Sequence, residues 1–147
     1  MPNANPENFT RAELADLYEK IVLFHEQYDF KAAPLSTKAK GYRKLVNKLG
    51  LEVKRFTLVD DLNQQPVPLC DGKQNRLWFY DSQSNSLHSI FKHLRNAAAH
   101  ADIKRKKQSG QLWYCIEHKF GGKLKLLCQM KKADFWLFVA EAKKFKT

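Results

Sequence analysis

Residues 86–101 read SLHSIFKHLRNAAAHA, and this stretch decides the fold expected of the chain. At 100° per residue, Leu87, Ile90, Phe91, Leu94, Ala98 and Ala101 fall within about 40° of one direction. The spacing predicts an amphipathic helix over roughly 86–101, with N-cap candidates at Ser84 to Ser86. With the apolar stripe at 0°, Asn96, His100 and His93 lie at about 180°, 220° and 240°, and Arg95 at about 80° on the shoulder. His93, Asn96 and His100 therefore share a ridge expected to look away from the helix's own core, toward solvent, a partner chain or a substrate. The alanines at 97–99 leave that ridge open to close approach.

Outward from this helix, the pattern stays mostly helical. Thr10-x-x-Glu13 is a capping box with Phe9 and Leu14 placed as a hydrophobic staple. Leu14, Leu17, Tyr18, Ile21 and Val22 continue at helical spacing, so a helix is expected over about 11–30, broken before Pro34. A second is expected over about 37–49, capped by Thr37 and ended by Gly50. Residues 51–63 read as a further helix, ended by Pro66 and Pro68, and 133–145 as the last. Asp71-Gly72 marks a turn, and the apolar run Leu77 to Tyr80 is of open type. Lys104-Arg105-Lys106-Lys107 reads as an exposed basic loop. Residues 112–118 and 124–130 alternate around Gly121-Gly122 and predict a β-hairpin. A three-residue Phe120-Gly121-Gly122 loop would pair Ile116 with Leu126 and Tyr114 with Cys128, apolar with apolar; a two-residue loop would not. That register argues against a Cys115–Cys128 disulfide. The expected fold is mainly α: a helical bundle with an added β-hairpin (about 112–130) and a C-terminal helix, as a single domain over 1–147.

Composition narrows the function classes. The chain has 147 residues, 44% hydrophobic and 28% charged, with mean hydropathy −0.56, which is the profile of a globular domain. Lys and Arg number 26 against 15 Asp and Glu, a net charge of +11. The excess is local. Residues 31–55 hold eight basic side chains against Glu52 alone, and residues 101–147 hold 12 against four. Such islands suit a polyanion. The longest apolar run, Phe135 to Ala140, is far short of the roughly 20 residues of a membrane span, and no long amphipathic basic anchor accompanies the charge, so nucleic acid is the expected partner and a membrane is not. Met1 to Pro6 carries no signal-peptide pattern. Three cysteines, Cys70, Cys115 and Cys128, without a Cys-x-x-Cys spacing suggest reduced thiols and a cytoplasmic location. No metal-ligand spacing joins His25, His88 and His118, and no Gly-rich phosphate loop, His-Glu-x-x-His or Gly-x-Ser-x-Gly occurs. No metal and no cofactor are therefore expected. Trp78, Tyr80, Trp113 and Tyr114 read as core or interface aromatics.

The chemistry-bearing segment is Arg95-Asn96-Ala97-Ala98-Ala99-His100. An imidazole titrates near neutral pH and can move the proton of a ribose 2′-hydroxyl or of a leaving group. A guanidinium offers a fork of donors to a phosphate gathering charge. Such a pair can cleave RNA without a metal ion. Arg, a polar residue, three further residues and His resembles the Arg-x4–6-His signature of HEPN domains (higher eukaryote and prokaryote nucleotide-binding). That resemblance implies a helical bundle, a homodimer, and a metal-independent endoribonuclease of a toxin–antitoxin or defence system, with a cognate antitoxin or other regulatory protein as a further partner. The alternative it implies is a non-catalytic module binding RNA, a nucleotide or a protein. Carried over, Arg95 would hold the scissile phosphate, His100 would act as acid and base, and Asn96 would support them. His93, Lys104, Arg105, Lys106 and Lys107, with Lys40, Arg43 and Lys44 from the first basic island, are the candidate RNA contacts. A hairpin carrying Lys119, Lys123 and Lys125 adds a surface suited to single-stranded RNA.

Overall fold

The hairpin is present, but it is the middle of a sheet and not an appendage. A computed structural model describes residues 8–66 and 70–146; the readings placed on Met1 to Pro6 and on Pro68 lie outside the described residues. Five strands, β1 (Glu52–Phe56), β2 (Arg76–Tyr80), β3 (Ile103–Gln108), β4 (Gln111–Phe120) and β5 (Lys123–Lys131), form one sheet in the order β1-β2-β5-β4-β3. β1 and β2 run parallel and the other neighbours antiparallel. The expectation of a mainly α helical bundle is therefore corrected to a mixed α/β fold.

Three local readings change with it. Residues 51–63 are not one helix: Glu52–Phe56 is an edge strand, and only Val59–Asn63 (α4) is helical. The Leu77–Tyr80 run is most of β2, whose Leu77, Trp78 and Phe79 are all buried. Residues 104–107 are not a loop but the body of edge strand β3. Lysines on an exposed edge discourage pairing with another chain, so this strand is legible only as an edge.

The hairpin register follows neither simple loop. Gly121 and Gly122 have φ 61° and 78°, the mirror-image two-residue turn that only glycine-like residues adopt easily. Phe120 pairs with Lys123 and Lys119 with Leu124, but His118 pairs with Leu126 and Ile116 with Cys128. One residue, Lys125, is bulged out, which shifts the register and restores apolar pairing by a different route from the expected three-residue loop. Cys115 faces Gln129, and its sulfur is bonded to Cys70; Cys128 is buried and free. Cys115 and Cys128 are not bonded to each other, as expected, although the register that argued for this is not the one formed; the expectation of reduced thiols is corrected for Cys70 and Cys115.

The remaining helices are α1 (Arg11–Leu17), a π-helical stretch Tyr18–Leu23, α2 (Phe24–Gln27), α3 (Tyr42–Lys48), α5 (Ser86–Ala99) and α6 (Lys132–Ala142). The Thr10–Glu13 capping box forms as read. The staple does not: Leu14 is exposed, and Phe9 packs instead on Tyr114, ring centroids 5.5 Å apart. α3 begins at Tyr42 after Gly41, without a Thr37 cap. One sheet face, with Leu77, Phe79, Ile116, Leu126 and Met130, packs on Leu87, Ile90, Phe91 and Leu94 of α5 and Phe135 and Phe138 of α6. The opposite face carries a smaller cluster of Leu62 of α4 with Trp78, Leu124 and Leu127. Among the described residues no helix is long and apolar enough to cross a membrane.

Candidate functional site

α5 is anchored at both ends. Asn85 caps it by accepting from the His88 N–H at 3.0 Å, and Asp81 accepts from the Asn85 N–H and the Ser89 hydroxyl. At the C-terminus the Asp102 N–H reaches back to the Ala97 carbonyl at 2.8 Å, with Ala101 in the left-handed region at φ 57°. This is a Schellman-type closure made without glycine. It turns the chain sharply after His100 and carries the Asp102 carboxylate to the end of β4. There Asp102 Oδ2 lies 3.0 Å from His118 Nδ1.

The ridge read from the sequence runs from buried His93 through half-buried Asn96 to exposed His100. It faces the end of the chain's own sheet, where β2 and β4 finish and β5 begins. His93 is 4% exposed, and its Nε2–H donates to the Tyr80 carbonyl at 2.8 Å. Desolvation pushes its pKa down to about 4, the Tyr80 carbonyl opposing and His118, Lys92 and Lys125 reinforcing. His93 is thus a buried, neutral wall. A hollow of about 240 Å³ opens beside it, lined by Tyr80, Ser82, Lys92, His93, Asn96, His118, Phe120 and Lys125. The bulge explains Lys125: displaced from the ladder, its ammonium lies 5.0 Å above the Tyr80 ring.

His118 is 3% exposed, with its Nδ1–H given to Asp102, so its Nε2 lone pair is the one left for chemistry. His100, exposed at the end of α5, lies nearly parallel to it, at 16° with centroids 6.3 Å apart. The His93 ring is 6.2 Å from His118. An anchored imidazole, a second exposed imidazole, an amide and two ammonium groups therefore gather at one end of the sheet.

Arg95 sits on the flank. Its guanidinium pairs with Glu26 at 2.9 Å and donates to Asn96 Oδ1 at 3.1 Å. It reaches the hollow only through Asn96, whose amide NH2 it leaves unengaged. Among the other candidates, Lys104 and Lys106 share the sheet face away from α5, along a second hollow of about 680 Å³ with Asp102, Glu117 and Lys119. Arg105 points the other way. It is held by Glu13 at 3.3 Å and donates to the Asn8 carbonyl at 2.9 Å, which ties it to the start of α1 rather than to the Lys104–Lys106 face. Lys107 is exposed on the same edge strand. Lys40, Arg43 and Lys44 are exposed, and Lys40 and Lys44 line a separate groove between α3 and α6 with Lys48 and Lys144.

His118, Asp102, Lys92 and Phe120 do not stand out as site residues in the sequence, and Lys125 stands out there only as part of the basic hairpin. A signal for His118 exists there: it continues the buried alternation of Tyr114 and Ile116 on β4, an unusual place for an imidazole. No signal for its bond to Asp102 exists along the chain, because a helix closure and a strand pairing create it. The sequence matches no family model, no curated protein and no solved structure.

Proposed function

We propose that this cleft cleaves RNA without a metal ion, by attack of a 2′-hydroxyl on the adjacent phosphorus. The observation that carries the reading is the Asp102-anchored imidazole of His118 beside the exposed imidazole of His100. His118 Nε2 takes the 2′-hydroxyl proton, and Asp102 stabilises the imidazolium that forms. The 2′-oxygen bonds to phosphorus, the bond from phosphorus to the 5′-oxygen breaks, and protonated His100 supplies the proton that oxygen needs. The products are a 2′,3′-cyclic phosphate and a 5′-hydroxyl. The Asn96 amide and the Lys92 and Lys125 ammonium groups stabilise charge building on the non-bridging oxygens. Arg95 acts as a positioning residue through Asn96. The Arg-Asn-x3-His sequence lends this reading its support from the HEPN signature and, with it, the toxin- or defence-type role. The homodimer that signature suggests is compatible with the site but not required by it, since His100, Asp102 and His118 belong to one chain.

The test is cleavage of single-stranded RNA in EDTA by protein freed of contaminating nuclease. His118→Ala and His100→Ala each abolish cleavage, and the parent's products carry cyclic phosphate ends. Cleavage by either variant at the parental rate defeats the assignment. The Arg95–Glu26 ion pair favours a second reading, in which the protein only binds RNA; salt-sensitive affinity without cleavage in any condition would establish it.

A further inference from the structure

The two hollows meet at one hydrogen-bonded pair. Asp102 lines the larger and His118 the smaller, and the 3.0 Å bond between them is the shared wall. Lys119 and Phe120, adjacent on β4, fall one into each hollow in the same way. The larger hollow carries three ammonium groups, from Lys104, Lys106 and Lys119, against the carboxylates of Glu117 and Asp102. Asp102 is already committed to His118. Lys104 and Lys106 are two residues apart on one face of β3, about 7 Å along the strand. That is comparable to the spacing of successive phosphates in an extended polynucleotide. The Cys70–Cys115 disulfide forms part of the hollow's wall and ties the segment before β2 to β4.

Phe120 closes the other end. It is 74% exposed, the most exposed large hydrophobic side chain described, at the tip of a two-residue turn. A ring in that position is covered by nothing in the chain's own core. It offers a flat apolar face directly beside the smaller hollow, with Lys125 next to it. Base pairs in a duplex are stacked on one another and do not present their faces to a side chain; unpaired bases do.

We infer that single-stranded RNA lies across the end of β4, with its phosphates on Lys104, Lys106 and Lys119 and one base stacked on Phe120. This deepens and rests on the RNA-cleaving reading above, since it sets the strand on both sides of the Asp102–His118 pair. Binding is then partly electrostatic, through the β3 lysines, and partly stacking, through Phe120. The strand's sugar–phosphate unit between these two anchor points is the one delivered to His100 and His118. The α3–α6 groove with Lys40 and Lys44 takes no part.

The experiment is fluorescence anisotropy with a short labelled single strand carrying 2′-O-methyl groups throughout, which removes the attacking hydroxyl and makes it uncleavable. Phe120→Ala lowers affinity by roughly 5- to 100-fold at fixed salt, the effect of removing one base–aromatic stack. The triple variant Lys104→Gln, Lys106→Gln and Lys119→Gln flattens the dependence of log affinity on log salt by about 2, near 0.7 for each phosphate no longer neutralised. A duplex of the same sequence is insensitive to Phe120→Ala. Parental affinity and slope in both variants overturn the inference. So does a flattened slope in Lys40→Gln, Lys44→Gln with the triple variant unchanged. Cleavage of unmodified RNA separates the two levels. Full cleavage by the parent with groove variants that bind normally sinks the groove alone, whereas groove-dependent binding with cleavage surviving in His118→Ala sinks the catalytic reading alone.

Discussion

His93 gives the sharpest test of how the cleft is built. Its imidazole is 4% exposed, donates a hydrogen bond to the Tyr80 carbonyl, and has its pKa lowered from 6.5 to about 4 chiefly by desolvation. Between these two pH values the unfolded chain binds a proton at this residue that the folded chain refuses. Stability at this site is therefore complete above about pH 6.5 and falls as the pH drops toward 4. Linkage gives a loss of about 1.4 kcal/mol by about pH 5.5 and about 2.5 kcal/mol by about pH 4.5. Glu13 and Asp81, whose carboxyls are held below their ordinary range, also lose stability on acidification, but they do so whatever stands at position 93. The perturbation is His93→Gln, which keeps an N–H donor for Tyr80 and removes the titration. Urea denaturation of both proteins from about pH 7.5 to about 4.5 should show wild type falling relative to the variant by those amounts. A difference in unfolding free energy that stays constant across the range refutes the argument, because it means His93 takes up its proton as readily in the folded protein as in the unfolded chain.

Two other substitutions probe the packing behind the site. Glu13 is 3% exposed and accepts from Tyr114 Oη at 2.5 Å, with Arg105 at 3.3 Å and Lys132 at 3.6 Å. Burial alone would raise its pKa; the Tyr114 and Thr10 hydrogen bonds and the charges of Lys132 and Arg105 outweigh that and lower it. Glu13→Ala should cost about 3–5 kcal/mol in urea unfolding at neutral pH, as expected when one partner of a buried charge network is removed. Ala101→Gly should raise stability by up to about 1 kcal/mol, since alanine at φ 57° carries a steric strain that glycine avoids. Thermal unfolding reads the second, and a fall in midpoint would contradict it.

The helix at 86–99 and the caps at Thr10 and Asn85 depend on neighbours three or four residues away, so a local reading reaches the first of them and the Thr10 box directly and the second to within a residue. The same holds for the hairpin's existence and its Gly121-Gly122 turn. Reading failed where pairing is long-range. β1 has burial on neither face strong enough to show alternation, and it becomes a strand only by lying parallel to β2, 24 residues later. β3 reads as a basic loop because an edge strand needs no apolar pattern on its open face. Loop length and apolar matching predict one register of β4 on β5, and a bulge at Lys125 that no local rule signals shifts it.

The candidate site divides along the same line. By itself the sequence determined that Asn96, His100 and His93 share one side of a helix and that basic residues crowd the segment following it, since both are matters of spacing and count. Only the tertiary structure decided what that side meets. The helix lies on a sheet, so two of its flanks are covered and not one, and the ridge expected to meet solvent, a partner chain or a substrate became, at His93 and Asn96, the wall of a cleft. His93 was thereby desolvated and neutralised, Arg95 was drawn to Glu26, and His118 was brought from 18 residues beyond His100 to stand beside it. Periodicity reports which residues lie together on an element; burial and partners depend on what packs against each face, and that is settled by contacts between distant parts of the chain.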